Sequence, residues 1–366
     1  MKIKYYNLKK ILSKNAQYNI IFGERSNGKT YSVLEYGLKK YIDTGEQLGI
    51  IRRWKEDFRG KRGSVLFDAL IENNLIEKYT NGKFNRVYSY SGKWYLSTIN
   101  EKGKQILDEK PFAYGFALSD VEHDKSTSYP NITTILFDEF LTRRQYFPDE
   151  FVIFMNVLST IIRQRDNVKI FMLGNTVNKF CPYFAEMGLT HINKMKQGTI
   201  DVYTYGNSEN ALRVAVEYAG STDSKKPSDI YFAFENPKLN MIKGGEWEFN
   251  IYPHLPYKYK PKDVLFTFFI LFDSNILQCE VIQVGTDTFI YIHRKTTELK
   301  DTDHDLIYTV DYSPKRNFAR DIYKPTNTAQ KKIAYLFKTG KVFYQSNDIG
   351  ELVRNFVVNG SIDCLA

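Results

Sequence analysis

Gly23-Glu24-Arg25-Ser26-Asn27-Gly28-Lys29-Thr30 is the stretch that decides the fold. It fits G-x-x-x-x-G-K-[ST] without a gap, the pattern of a loop that cradles phosphate groups. The run before it, Tyr18-Asn19-Ile20-Ile21-Phe22, is short, β-prone and apolar toward its end, which predicts a buried strand. After it, Leu34, Leu38 and Tyr41 recur at helical spacing, and Gly45 supplies a stop. Strand, glycine-rich turn and helix is the context the pattern requires. Gly23 and Gly28 let the backbone curl so that successive N–H groups face phosphate oxygens at a helix N-terminus. Lys29 adds a positive charge over the β- and γ-phosphates, and the Thr30 hydroxyl completes a Mg²⁺ shell. Residues 23–30 are therefore the expected binding loop for a nucleoside triphosphate.

The second informative run is Ile132-Thr133-Thr134-Ile135-Leu136-Phe137-Asp138-Glu139, β-prone throughout and ending in two carboxylates. A buried parallel strand reads this way, with functional residues at its C-terminal end. Two roles follow: Asp138 holds Mg²⁺ through water, and Glu139 orients and polarises the attacking water. The bland alternative, a pair of carboxylates capping a turn, loses ground downstream of a phosphate loop. Residues 149–163 predict an amphipathic helix, with Phe151, Phe154, Met155, Leu158, Ile161 and Ile162 on one stripe. The strand Val168–Leu173 follows and runs into Gly174-Asn175-Thr176, where a γ-phosphate sensor belongs. Between helix and strand stand Arg163 and Arg165. Position alone leaves two readings of them open: complements to a helix dipole, or an arginine finger for a neighbouring subunit's γ-phosphate.

At 366 residues the chain predicts more than one core. Residues 1–180 read as the nucleotide-binding core, 181–228 as a small lid or linker, and 229–366 as an α+β second domain. The boundary falls at the polar run Ser221–Ser228, after which strands dominate: Tyr231–Phe234, Val264–Phe272, Cys279–Val284, Phe289–His293 and Ile307–Val310, then helices at Thr328–Phe337 and Ile349–Val358. Within the first domain a basic leader (1–16), a second strand (Gly49–Trp54), a helical stretch (55–78), a hairpin (Tyr79–Ile99) and a strand (Phe112–Leu118) are expected. Net charge is +9, and residues 1–225 carry most of it, with 33 Lys and Arg against 25 Asp and Glu. The nucleotide-binding half is thus the basic half, as suits a protein that handles a polyanion. No apolar run is long enough to span a bilayer, Met1 opens into no signal-peptide pattern, and three scattered cysteines suit a reducing compartment, so a cytoplasmic setting is expected. A guanine switch would want N-K-x-D; Asn178-Lys179-Phe180-Cys181 lacks the Asp.

With these positions assembled, the chain resembles the DNA-packaging ATPases of small podoviruses (Salasmaviridae, Picovirinae type), ring motors that push double-stranded DNA into a prohead. The resemblance is carried by Phe22-Gly23-Glu24-Arg25 with Gly28-Lys29-Thr30, Gly45-Glu46-Gln47, and Arg52-Arg53 before Trp54–Phe58. It continues through Lys125-Ser126, Tyr129-Pro130-Asn131, Phe137-Asp138-Glu139-Phe140, Arg163-x-Arg165, Asn175 and Pro182-Tyr183-Phe184. It covers most of residues 18–190 and is weak beyond. What it implies is an α/β fold of the ASCE (additional-strand, catalytic-Glu; RecA- or terminase-like) class, with a mainly parallel sheet, using ATP and Mg²⁺. The implied assembly is a homopentameric ring on double-stranded DNA in the host bacterial cytoplasm, without a membrane. The ring sits transiently on the portal or connector vertex of the prohead, and some relatives dock through a structural RNA.

By the same match Arg163 becomes the favoured trans-acting finger, Lys125 a basic residue acting across the subunit boundary, and Arg25 the arginine of the loop itself. The implied catalytic set is Glu139, Arg163, Lys29, Asn175, Arg25 and Lys125. The second domain is implied to be an RNase H-like vestigial nuclease used for docking. Asp273 and Asp311 are its candidate acids, but a two-metal nuclease needs a tighter carboxylate cluster. Two other readings stand beside the motor: a terminase-like protein with an active C-terminal nuclease, and a non-motor, nucleotide-gated binding module.

Overall fold

The computed structural model describes residues 5–123, 127–142, 146–176, 180–206, 211–220, 252–256 and 258–360. The chain divides into two compact units, Met1–Glu248 and Phe249–Ala366. The Ser221–Ser228 boundary and the Tyr231–Phe234 strand expected from sequence lie outside the described residues.

Unit 1 is a mixed α/β unit around one large sheet. Its strands are β1 (Tyr18–Gly23), β2 (Gln47–Arg52), β3 (Arg86–Tyr90), β4 (Lys93–Ile99), β5 (Gln105–Leu107), β6 (Ala113–Ala117), β7 (Ile132–Asp138), β8 (Lys169–Asn175), β9 (Ile200–Tyr205) and β10 (Leu212–Tyr218). Their order across the sheet is β3-β4-β6-β2-β7-β8-β1-β10-β9, with β5 on β4. The central run β6-β2-β7-β8-β1-β10 is parallel, and the flanking pairs are antiparallel. Every residue of β1 and of β7 is buried, as continuous apolar runs covered on both faces require. One face is covered by α2 (Lys29–Thr44), which follows α1 (Lys9–Leu12) in the chain and buries Val33, Leu34 and Leu38. The short helices α3 (Gly60–Ser64), α4 (Asp68–Glu72) and α5 (Leu75–Tyr79) add Leu70 and Ile76 to that layer. On the other face α6 (Glu150–Ile162) buries Phe154, Leu158 and Ile161, and α7 (Pro182–Glu186) buries Tyr183 and Phe184.

Two expectations give way. The helical stretch 55–78 is broken into a 3₁₀ turn (Lys55–Phe58), α3, α4 and α5. Gly60 and Asn74 take positive φ, and Gly63 packs so tightly that a Cβ there would stand 2.3 Å from the Phe58 carbonyl oxygen. A single helix cannot contain such turns. The segment expected as a lid or linker is in part sheet: β10 pairs in parallel with β1, burying Val214, Ala215 and Val216, and β9 closes that edge. Without them the phosphate-loop strand would be an open edge with unpaired main-chain groups.

Unit 2 is built on β11 (Val264–Phe272), β12 (Asn275–Val284), β13 (Asp287–Arg294), β14 (Ile307–Thr309), β15 (Phe318–Ala319) and β16 (Val342–Tyr344). β11, β12 and β13 form an antiparallel meander; β14 runs parallel to β11, β15 to β14 and β16 to β13. Helices Thr328–Lys338 and Asn347–Gly360 follow the expected ranges, the first capped by Asn327 accepting from the Gln330 amide at 2.9 Å.

On this sheet Glu280 accepts from Tyr259 Oη (2.5 Å) and Gln278 Nε2 (2.8 Å), and His293 Nε2 stands 3.5 Å away. The His293 hydrogen bond, against burial, holds the Glu280 carboxyl down to about 2, and the same bond raises the His293 imidazole above 6.5. Glu280 therefore contributes fully above its ordinary 4.5 and loses this as pH falls toward 2; His293 contributes fully below 6.5 and loses this as pH rises through its raised value. His293→Gln is expected to lower the thermal unfolding midpoint most near about pH 5.5 and less at either about pH 3 or about pH 8.5. Thermal scans at the three pH values check it.

Candidate active site

The parallel pairing fixes where the predicted residues meet. Gly23 at the end of β1 lies opposite Asn175 at the end of β8, and Asp138 at the end of β7 lies opposite Leu173 of β8. The loop after β1 and the carboxyl ends of β7 and β8 therefore open on one edge of the sheet, where ligands bind in open parallel sheets. β8 stands between the phosphate-loop strand and the acidic strand.

The loop has the curl expected of it. Gly28 is the N-cap of α2 with φ +94°, and Gly23 has φ +150°. A Cβ on Gly23 would stand 3.0 Å from the Ala219 carbonyl oxygen of the strand alongside. Lys29 is buried, its Nζ donating to the Glu24 carbonyl (2.6 Å), Asn27 Oδ1 (3.1 Å) and Asn175 Oδ1 (3.5 Å). The loop is thus wrapped around an ammonium group. Arg25 and Ser26 face solvent at its rim, and Asn27 Nδ2 is buried with no partner among the described residues. The N-terminal leader braces the outside: the Tyr6 amide donates to the Asn27 carbonyl (2.9 Å), Ser32 Oγ to the Tyr6 carbonyl (2.6 Å) and Tyr6 Oη to Glu217 (2.6 Å).

Asp138 receives Thr30 Oγ1 on one carboxylate oxygen (3.1 Å) and Arg52 Nη2 on the other (2.7 Å). Thr30 and Asp138 supply hard oxygen donors side by side, the chemistry Mg²⁺ prefers, and the orphaned Asn27 Nδ2 and Arg52 Nε at the site lack only an acceptor such as a phosphate oxygen. The residues present therefore fit a magnesium nucleotide. Glu139 follows at φ +61°, a conformation a non-glycine residue adopts at a cost of about 1–2 kcal/mol. Its side chain is exposed, between the strand's end at Asp138 and the next anchor, the Phe140 amide bonded to the Leu173 carbonyl (3.1 Å).

Behind Glu139 lies a buried polar knot that no local sequence signal announced. Arg53, just past β2, makes a two-pronged pair with Glu150 at the start of α6: Nε to Oε2 and Nη2 to Oε1, both 2.9 Å. Its remaining donors go to the main chain, Nη1 to the Glu139 carbonyl (3.3 Å) and Nη2 to the Phe140 carbonyl (3.0 Å). Tyr183 Oη (2.8 Å) and the Phe147 amide (2.9 Å) complete Glu150. Burial works against the Arg53 charge, but the Glu150 carboxylate outweighs it and raises the guanidinium's pKa.

Arg163 is not brought to this site. It follows α6 with φ +53°, is exposed, and donates through Nη2 to the Thr127 carbonyl at 3.0 Å. Arg165 is tied inward, to the carbonyls of Tyr129, Pro130, Ile132, Ile161 and Ile162. Ile132 begins β7 and Asp138 ends it, so these arginines sit at the opposite end of a strand on the order of 20 Å long. Lys125 lies outside the described residues.

A glycine-rich loop closed around Lys29, a Thr30–Asp138 pair and an acid one residue further stand together at one edge of a mainly parallel sheet, the arrangement of a P-loop. Residues 1–204 match the family of the Podovirus DNA encapsidation protein (Gp16), and the chain belongs to that family. A DNA packaging protein of Bacillus phage B103 is 31% identical over 189 residues, covering 50% of this chain and 52% of that protein. The DNA packaging protein of Bacillus phage phi29 is 30% identical over 194 residues, covering 52% of each. The match spans about half the length of these relatives. Among solved structures, the bacteriophage Phi-29 viral genome packaging motor assembly has a chain with TM-score 0.59 at 21% identity, covering 97% of this chain and 99% of that one. The Phi-28 gp11 DNA packaging motor gives 0.53 at 19% identity, covering 98% of each. These two likenesses establish the fold.

Because Glu139 holds a left-handed backbone, Glu139→Gly is expected to leave stability unchanged or raise it by up to about 1 kcal/mol, against a loss of about 0.5–1 kcal/mol for glycine placed in ordinary helix or strand. Urea unfolding of the two proteins checks it.

Proposed function

We propose that this chain is the ATPase of a viral genome-packaging motor, hydrolysing ATP to drive double-stranded DNA into a prohead. In this reading unit 1 is an ASCE domain. Its Gly23–Thr30 loop holds the triphosphate, Lys29 neutralises the β- and γ-phosphates, and Asn175, already within reach of Lys29, reports on the γ-phosphate. Mg²⁺ held by Thr30 and Asp138 would neutralise charge developing on the transferred phosphoryl group. Glu139 accepts a proton from the attacking water and orients it, and the Arg25 side chain guards the mouth of the loop.

The observation that carries the motor reading is the placement of Arg163. The site draws a base, a metal pair and a phosphate cradle from one chain, while Arg163 is presented to solvent a strand's length away. An arginine so placed is available to a neighbouring subunit, and the proposed closed ring, a pentamer, would give each site one such neighbour. Among the described residues Arg165 is held by five main-chain carbonyls and Arg163 by one, which supports Arg163 as the finger, with Lys125 as a second trans-acting cation by the family resemblance. Membership of a DNA encapsidation family supports DNA as the cargo; with it we propose docking on the portal or connector vertex, through a structural RNA where one exists, in the host cytoplasm. The positive balance of residues 1–225 suits phosphate contacts that ignore sequence.

For unit 2 we propose a vestigial RNase H-like domain used in docking. An antiparallel meander whose first strand, β11, takes a parallel neighbour, β14, supports that reading. Asp273 and Asp311 stand two residues beyond the paired Leu271 and Thr309. Among the described residues no group of three or more His, Cys, Asp or Glu is placed to hold a metal ion.

Arg163→Ala and Glu139→Gln proteins are each expected to lose hydrolysis, by ~10³–10⁵ for the finger. Mixing the two restores activity wherever an intact Glu139 site faces an intact Arg163. A mixture that stays as silent as its components would place Arg163 in cis and end the shared-site reading.

A further inference from the structure

We infer that Arg53 is a positioning residue for hydrolysis, with Glu150 as its counter-charge: the pair holds the Glu139–Phe140 backbone in the one conformation that aims the Glu139 carboxylate at the nucleotide. The inference rests on Glu139 being the water-activating acid and deepens that assignment.

Glu139 has φ +61°, and strain of this kind persists only where the surroundings over-determine it. Three contacts do so. The Phe140 amide is pinned to the Leu173 carbonyl on β8, and the carbonyls of Glu139 and Phe140 are both taken by the Arg53 guanidinium. The Phe140 ring, fully buried, packs against Phe137, Tyr183 and Phe184. The fork that grips the two carbonyls is itself immobilised, since Nε and Nη2 are engaged by Glu150 and the guanidinium lies 5.3 Å from the Tyr146 ring centre.

Arrangement and cost both point to function. Side-chain exposure is 9% for Arg53 and 0% for Glu150, and a well-packed apolar pair is usually as stable as a buried ion pair or more so. What an apolar pair cannot do is donate to two successive carbonyls on the far side of a carboxylate. Lysine cannot do it either, because a single ammonium lacks the planar fork. Among the described residues the Arg53 side chain bonds neither to the loop's phosphate cradle nor to Asp138, so its effect on chemistry passes through the Glu139 backbone.

The test uses the full chain and measures nucleotide affinity and single-turnover hydrolysis separately. Arg53→Lys is expected to lower the hydrolysis step by about 10–100-fold, the scale of a catalytic group displaced by about 1 Å, with nucleotide affinity within about threefold of wild type. Placed on Glu139→Gln, the same change is expected to cost nothing further, because there is no longer a base to aim. If Arg53→Lys does not fold, the double variant Arg53→Met/Glu150→Leu, an apolar pair of similar volume, is expected to unfold normally and show the same kinetic loss. Full hydrolysis by a folded Arg53→Lys protein or by the apolar pair, or a loss that multiplies with that of Glu139→Gln, would overturn the inference while leaving Glu139 as base. Wild-type hydrolysis by Glu139→Gln alone would remove the base assignment and the inference together.

Discussion

The in-register parallel pairing of β1, β8 and β7 is the constraint on which the rest depends. Gly23 opposite Asn175 and Leu173 opposite Asp138 bring chain segments more than a hundred residues apart to one sheet edge. Parallel strands send their carboxyl ends the same way, so the loop, Asp138 and Asn175 converge without further adjustment. A register shift of one residue on β7 would turn Asp138 to the other face and break its bond to Thr30. The all-buried strands β1 and β7 oppose such a shift, because it would repack both covering helical layers.

Around that frame the chain carries two costs, a left-handed backbone at the candidate base Glu139 and a buried Arg53–Glu150 pair directly behind it. Glu150 also begins α6, whose far end leads into Arg163. Thirteen helical residues, about 20 Å, thus separate the carboxylate that fixes Arg53 from the arginine presented outward. Where Arg163 serves a neighbour, one rigid element spans two consecutive sites of the ring.

Much of this was legible in the sequence because its signals are local. The strand, loop and helix over residues 18–45, the acid pair at 138–139 and the amphipathic α6 are each written in a dozen or so adjacent residues, and the structure puts them where periodicity and loop chemistry direct. What was missed depends on contacts distant in sequence. β9 and β10 are short, flanked by glycines and carry charges at Asp201, Arg213 and Glu217, so their strand character emerges only from pairing with β1. Arg53 and Glu150 stand 97 positions apart, and neither has a neighbour that advertises the other. Position left Arg163 and Arg165 alike, and their difference is also one of distant contacts: among the described residues Arg165 bonds five main-chain carbonyls and Arg163 one.

The central claim is that a competent site needs two copies of the chain and responds to DNA. Hydrolysis rate per subunit, measured against protein concentration with and without duplex DNA, tests it most directly. The account predicts a specific rate that rises steeply as subunits assemble and rises again with duplex DNA, the second effect weakening with salt. A specific rate that is constant on dilution and indifferent to DNA would contradict it.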